Sequence, residues 1–319
     1  MKLVSLVFPV CNEEEVFPHL KSRLTPLIDS LSKDYQFELI FIDDGSSDNS
    51  WARIVEWSKT ETRVKGFSFS RNFGHQAALS CGYDMAQGDA VISLDADLQD
   101  PPEIIPELLQ VWTSGADIVY AVRSARRDET FLKILTAKLF YRVFSTVSDT
   151  RVPLDAGDFR LMSRRAVQSL NQLRERHRYL RGMVGWIGFR TGTVTYERPG
   201  RVAGVTKFNL RKMLRFGADG IISSSSFPLR LFYVVGLLCS LPFLTYLVYS
   251  FCLHIWRGSE LVPGWTSLLL SIISFGTLNL VCLGIMGEYI GRIYEEGKHR
   301  PLFIVAESVG DDQAKRTGE

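Results

Sequence analysis

Residues 90–102 read AVISLDADLQDPP, and residues 37–46 read FELIFIDDGS. Each starts as an apolar run of strand length and ends in carboxylates followed by a turn signal. Working outward, similar runs recur, so strands are predicted at Leu3–Pro9, Phe37–Ile42, Val64–Phe69, Ala90–Leu94 and Ile118–Val122. Helical patterns fall between them, at Glu14–Leu31, Ser50–Lys59, Gln76–Ala86 and Pro102–Ser114. Ser47–Ser50 is suited to cap the second helix, and Pro101-Pro102 to start the fourth. Alternation of this kind predicts an α/β fold, a mostly parallel sheet covered on both faces. Ligands of such sheets bind beyond the carboxyl ends of the strands, where both acidic clusters sit.

Asp43-Asp44 ends one strand, and Asp95-Ala96-Asp97 ends another. Carboxylates this close repel unless a cation lies between them, and hard oxygen donors suit Mg²⁺ or Mn²⁺. Such an ion would grip a diphosphate and neutralise charge on a leaving nucleotide. There is no G-x-x-x-x-G-K-[ST] phosphate loop, and no G-x-G-x-x-G after the first strand, which argues against an NTPase or a dinucleotide enzyme. His75 stands alone at a helix start, where a histidine is usually a cap or a packing group. With 37 basic and 35 acidic side chains, the net charge of +2 argues against nucleic acid as a partner. The 5 cysteines are scattered and odd in number, which fits no disulfide framework and suggests a reducing compartment.

Two uncharged stretches, Leu231–Ile255 and Leu261–Gly287, are each long enough to cross the roughly 30 Å of a bilayer core as a helix. Lys207, Arg211, Lys212, Arg215 and Arg230 precede the first, and Arg292, Lys298 and Arg300 follow the second. The positive-inside rule then predicts a two-span protein with both termini in the cytoplasm. Basic, apolar-faced helices are expected at Phe131–Val147 and Phe208–Ile222, lying on the lipid surface. Gly276, Gly284 and Gly287 would let helices approach closely, which keeps a homo-oligomer among the partners.

The residues Phe8-Pro9-Val10-Cys11-Asn12-Glu13-Glu14, Asp43-Asp44-Gly45-Ser46, Ser70-Arg71-Asn72-Phe73-Gly74 and Asp95–Pro102 together resemble the family 2 glycosyltransferases with the GT-A fold. Asp155-Ala-Gly-Asp158-Phe159-Arg160-Leu161 and Arg201-Val-Ala-Gly204-Val-Thr206-Lys207 are similar to motifs of the polyisoprenyl-phosphate branch, which includes bactoprenol glucosyltransferases and dolichol-phosphate mannose synthases. Thr206 stands where the branch usually has serine, and keeps the hydroxyl. The Gln-x-x-Arg-Trp motif of processive synthases is absent.

The resemblance implies a Rossmann-like GT-A domain over 1–206 and an interfacial amphipathic helix over 207–229. Two membrane helices would follow within 230–290 (about 231–255 and 264–287), then a cytoplasmic tail over 291–319. It implies that Pro9, Asn12, Glu14 and Asp44 line the nucleotide pocket, and that Asp95, Asp97 and Gln99 hold the metal and the donor diphosphate. Asp158 would sit at the reaction centre, with a structural N-cap or a buried ion pair to Arg160 as the alternative; Arg123, Arg126, Arg201 and Lys207 would grip the lipid phosphate and donor. The implied enzyme moves one hexose, with inversion, from UDP-glucose onto undecaprenyl phosphate at a bacterial plasma membrane. GDP-mannose or another sugar nucleotide is the alternative donor, and the pocket residues do not decide between them. A catalytically silent binding protein for sugar nucleotide or lipid phosphate is the rival from another class; it would be expected to lack one of these acids.

Overall fold

Strand β1 (Lys2–Val10) places its side chains alternately on two faces, so Val4, Leu6, Phe8 and Val10 enter one core and Val7 the other. In the computed structural model, which describes residues 1–123, 156–176, 178–197 and 265–310 with positions 245, 249, 252 and 256, both faces are covered. Helix α1 (Phe17–Leu31) lays Phe17, Leu20, Leu24 and Ile28 on the first face. Ile54 and Trp57 of α2 (Ser50–Thr60) join it, with Leu108 and Leu109 of α4 (Ile105–Thr113). The second face is covered by α3 (His75–Met85), α5 (Arg164–Gln172) and α6 (Leu180–Trp186). The near-continuous burial of β1 and β2 (Tyr35–Asp43) follows from this double cover.

The remaining strands are β3 (Val64–Phe69), β4 (Ala90–Ser93), β5 (Ile118–Arg123), β6 (Ala156–Ser163), β7 (Thr191–Tyr196) and β8 (Val305–Val309). The sheet order is β7-β5-β6-β4-β1-β2-β3-β8. All five strands expected from the sequence are present, within a residue or two at their ends. The sheet is mixed, since β6 runs antiparallel to both β4 and β5, and β8 antiparallel to β3. An antiparallel β6 inserted beside β4 has a direct consequence. The register runs from Ala90↔Ser163 to Ser93↔Arg160, so Asp158 on β6 lies beside the end of β4, where Asp95 follows. Strand β8 lies in the stretch assigned from sequence to a tail; Phe303 before it stacks on Phe69 with ring centroids 5.1 Å apart.

The amino end of the sheet is closed by a buried polar group. Ser5 Oγ donates to Glu38 Oε1 at 2.5 Å, and the Gln87 N–H donates to the same oxygen at 2.7 Å. Lys65 Nζ reaches Glu38 Oε2 at 2.7 Å, and the Gly88 N–H donates to Ser5 Oγ at 2.8 Å. Glu38 is 5% exposed, so Glu38→Ala would strand several donors in a place water reaches poorly. The expected loss is about 3 kcal/mol, at the low end for a broken buried pair because Lys65 can still turn to solvent. A urea melt of the variant against the parent chain measures it; a change below about 1 kcal/mol would mean the group is solvated.

The chain divides into two compact units, Met1–Gly220 with Pro301–Glu319, and Ile221–Arg300. Within the second, α7 (Trp265–Gly297) is one helix of 33 residues. Among the described residues, no helix is long and apolar enough to cross a membrane. This overturns the two-span hairpin and the membrane localisation expected from the sequence. The part of the uncharged run Leu261–Gly287 that lies in α7 carries Asn279, and the helix continues past it through Glu288, Arg292, Glu295 and Glu296. The expected first span, 231–255, lies outside the described residues except for positions 245, 249 and 252. The surface helices expected at 131–147 and 208–222, and the boundaries at 206 and 229, lie outside them as well.

Candidate active site

The carboxyl ends of β1, β2 and β3 are knitted together by the side chains expected to line a nucleotide pocket. Asn12 follows β1 with φ +56°, a left-handed conformation that asparagine tolerates. Its Oδ1 accepts from the Ser47 N–H at 2.7 Å and from Ser47 Oγ at 3.1 Å. Glu14 accepts from Asn49 Nδ2 at 3.0 and 3.1 Å and pairs with Arg53 at 3.4 Å. Asp44 is buried and accepts the Phe73 N–H at 2.7 Å and the Gly74 N–H at 3.0 Å. Burial pushes the Asp44 carboxyl up, against those two N–H groups that favour its charge. Gly45 between these loops has φ +65°, and an added Cβ would lie 2.6 Å from the backbone of Arg71 and Asn72. Pro9 is buried within β1, paired in register with Ile42. Asn12, Glu14 and Asp44 are therefore gathered at one sheet end, where they also set the loop shapes.

Beyond them along the sheet, the loop after β4 carries the second acidic cluster. Leu98 holds φ +57°, strained for a branched residue by roughly 1–2 kcal/mol, and its burial in the core fixes it there. This turns Asp95, Asp97 and Asp100 around one loop. The Gln99 N–H donates to Asp97 Oδ1 at 3.1 Å, while the Gln99 side chain is buried. Asp100 is also buried and accepts from Tyr196 Oη at 2.6 Å, with Arg123 Nη2 at 3.5 Å. Arg123, expected to grip phosphate, is thus placed at the end of β5 against Asp100 and Tyr196. Arg126, Arg201 and Lys207 lie outside the described residues.

Asp158 on β6 is held by Arg160, Arg181 and His75. Its Oδ1 receives Arg160 Nη2 at 2.6 Å and Arg181 Nε at 3.2 Å. Its Oδ2 receives Arg181 Nη2 at 3.1 Å and faces His75 Nε2 at 3.4 Å. The Asp158 carbonyl accepts from Ser93 Oγ at 2.6 Å, and Ser93 Oγ in turn accepts from Tyr83 Oη at 2.9 Å. Burial pushes the carboxyl up, but His75, Arg181 and Arg160 together hold it well below the usual carboxylate range. His75 also lies 3.7 Å from Asp95 Oδ1 and so stands between the two acids. Burial pulls its imidazole down, and the hydrogen bond to Asp158 with the charges of Asp95 and Asp158 raises it overall. Asp95 behaves oppositely to Asp158: burial, then Asp100, Asp158 and Asp97, push it up to about 7 against the pull of His75.

Among the described residues, no three His, Cys, Asp or Glu side chains are grouped closely enough to hold a metal by themselves. Asp95 and Asp97 nevertheless form a partial oxygen donor set under strong negative crowding, which a divalent cation would relieve. His75, Arg160, Arg181, Asp100 and Tyr196 were given no catalytic or binding role from the sequence, Arg160 entering only as a structural ion-pair partner of Asp158. Arg160 lies within the quoted Asp155–Leu161 motif, and His75 directly follows the quoted Ser70–Gly74 motif; Arg181 carried no local signal.

Residues 5–170 match the family model for Glycosyl transferase family 2. The chain is 45% identical over 306 residues to the uncharacterized glycosyltransferase YkcC of Bacillus subtilis (strain 168), covering 96% of this chain and 94% of that one. It is 43% identical over 303 residues to the bactoprenol glucosyl transferase of Shigella phage SfV, covering 95% and 97%. Among solved structures, it is similar to glucosyl-3-phosphoglycerate synthase from Mycobacterium tuberculosis, with TM-score 0.48 and 20% identity, covering 70% and 79%.

Proposed function

We propose, from the premise that this chain belongs to glycosyl transferase family 2, that it moves one hexose from a nucleoside diphosphate to a polyisoprenyl phosphate. Glucose carried by UDP is the donor of this reading, and undecaprenyl phosphate the acceptor. The observation that carries it is the facing of Asp158 with its cations against the crowded Asp95–Asp97 loop, in a family whose relatives include bactoprenol glucosyl transferases.

An oxygen of the acceptor phosphate attacks C1 of the hexose, the bond from C1 to the diphosphate breaks, and the nucleoside diphosphate leaves with the electron pair. The configuration at C1 inverts. A phosphate monoester has its second pKa near about 6, so the nucleophile is largely dianionic at neutral pH and needs little help in losing a proton. That suits Asp158, because a carboxylate held so low is a poor proton acceptor. Its work in this reading is to hold charge and position. Asp95 and Asp97 would hold a Mg²⁺ or Mn²⁺ ion, which supplies charge neutralisation for the departing diphosphate when bound. Asn12, Glu14 and Asp44 shape the loops that receive the nucleotide.

The test incubates the full chain with undecaprenyl phosphate, Mg²⁺ and radiolabelled UDP-glucose, and counts label entering the organic phase. Label is expected there, and is expected to vanish with a chelator. Absence of label with UDP-glucose, GDP-mannose and related donors, from a chain that melts cooperatively, would overturn the reading.

A further inference from the structure

The geometry points to Arg181 as the side chain that binds the acceptor's phosphate, with Asp158 as its positioning residue; this rests on the transfer reading above. The inference starts from a mismatch of charge. Arg160 is fully buried and its Nη2 lies 2.6 Å from Asp158, so that one guanidinium already balances the carboxylate. Arg181 then adds a second permanent positive charge to the same acid, and His75 stands 3.4 Å away as a third polar donor. Two permanent cations on Asp158 concentrate positive charge on this side of the site, opposite the crowded Asp95–Asp97 loop.

The orientation of Arg181 is suited to that offer. Nε and Nη2 are spent on Asp158, which locks the plane of the guanidinium. Among the described residues, Nη1 makes no hydrogen bond, and the side chain is 34% exposed. A locked guanidinium with a free edge binds phosphate oxygens at little further cost in side-chain order. The start of α6 is itself fixed, because the Leu180 N–H donates to Gln76 Oε1 at 3.0 Å in the first turn of α3.

Position along the sheet separates the acceptor from the donor. The loops expected to receive the nucleotide end β1, β2 and β3, and Asp95 and Asp97 follow β4. Asp158 lies on β6, on the far side of β4 from β1, and brings Arg181 with it. A donor spanning from β2 to β4 leaves this side of the reacting carbon to the incoming phosphate.

The experiment compares the parent chain with Arg181→Gln and Arg181→Lys. It measures KM for a short-chain isoprenyl monophosphate in the transfer assay, binding of that monophosphate alone by titration, and binding of UDP with Mg²⁺. For Arg181→Gln, KM and the monophosphate Kd are expected to rise roughly 10–100-fold, the range for losing charge-assisted hydrogen bonds. UDP binding is expected to change less than about 2-fold, since Arg181 does not meet the donor, and Arg181→Lys to recover part of the loss through its remaining charge. An unchanged monophosphate Kd, or an equal weakening of UDP, would overturn the assignment. A parent chain that neither binds the monophosphate nor labels it would instead overturn the acceptor reading itself. Asp158 keeps Arg160 and His75 in both variants, and a thermal melt matching the parent excludes misfolding as the cause.

Discussion

Asp97→Asn is expected to lower label transfer roughly 10²–10³-fold, while the protein melts as before. The size follows from the several kcal/mol that a metal contributes to a departing diphosphate. The preserved fold follows from the local geometry. Asp97 Oδ1 accepts the Gln99 N–H at 3.1 Å, and an asparagine Oδ1 can accept the same bond. The turn is also held by the buried Leu98. In the metal reading the substitution removes a negative charge and one oxygen donor, and keeps an acceptor for the Gln99 N–H. Steady-state rates at several Mg²⁺ concentrations provide the check: the loss should shrink as Mg²⁺ rises if metal affinity is what was damaged. Parent-like turnover at ordinary Mg²⁺ would take Asp97 out of the metal site.

Asp158→Glu is the second large effect, with turnover expected to fall about 10²-fold and UDP binding to stay near the parent value. Asparagine is the less informative change here, because it would leave the fully buried Arg160 without its anion. Removing one member of a buried pair costs about 3–5 kcal/mol, enough to unfold a marginal domain. Arg160 already has Nε and Nη1 buried with no hydrogen-bond partner among the described residues, so its charge rests on Asp158. Glutamate keeps the charge and moves it by one methylene, which shifts Arg181 and His75 together. A displacement of about 1 Å in a positioned group is enough for a loss of this order. Rapid-quench turnover, with UDP titration alongside, separates the two quantities. A parent-like rate would mean that the placement of Asp158 is loose, and would remove its role as the holder of Arg181.

These roles were unevenly visible in the chain. The acidic strand ends at Asp43-Asp44 and Asp95-Ala96-Asp97 could be read directly, because a strand's termination and its turn residues are local properties. Asp158 was reached only through the likeness of its motif to a family, and Arg160, two residues further on, entered only as its ion-pair partner in the structural alternative. Arg181 lies 23 residues from Asp158 along the chain, in a short helix whose start is tied to Gln76, 104 residues earlier. No spacing rule links these positions; a shared carboxylate does. The apolar run in α7 shows the opposite error: local hydropathy was read as a bilayer span, whereas among the described residues no helix is long and apolar enough to cross a membrane.

By itself, then, the sequence determined the alternating β and α elements, both acidic strand ends, and the family. Those depend on side-chain period, turn chemistry and short motifs, all encoded within a few residues. Tertiary structure decided that β6 inserts antiparallel beside β4 and that β8 closes the edge on β3. It also decided that Asp158 is shared among Arg160, Arg181 and His75. Strand direction and charge sharing depend on which distant segments meet, and only packing of the whole sheet fixes that.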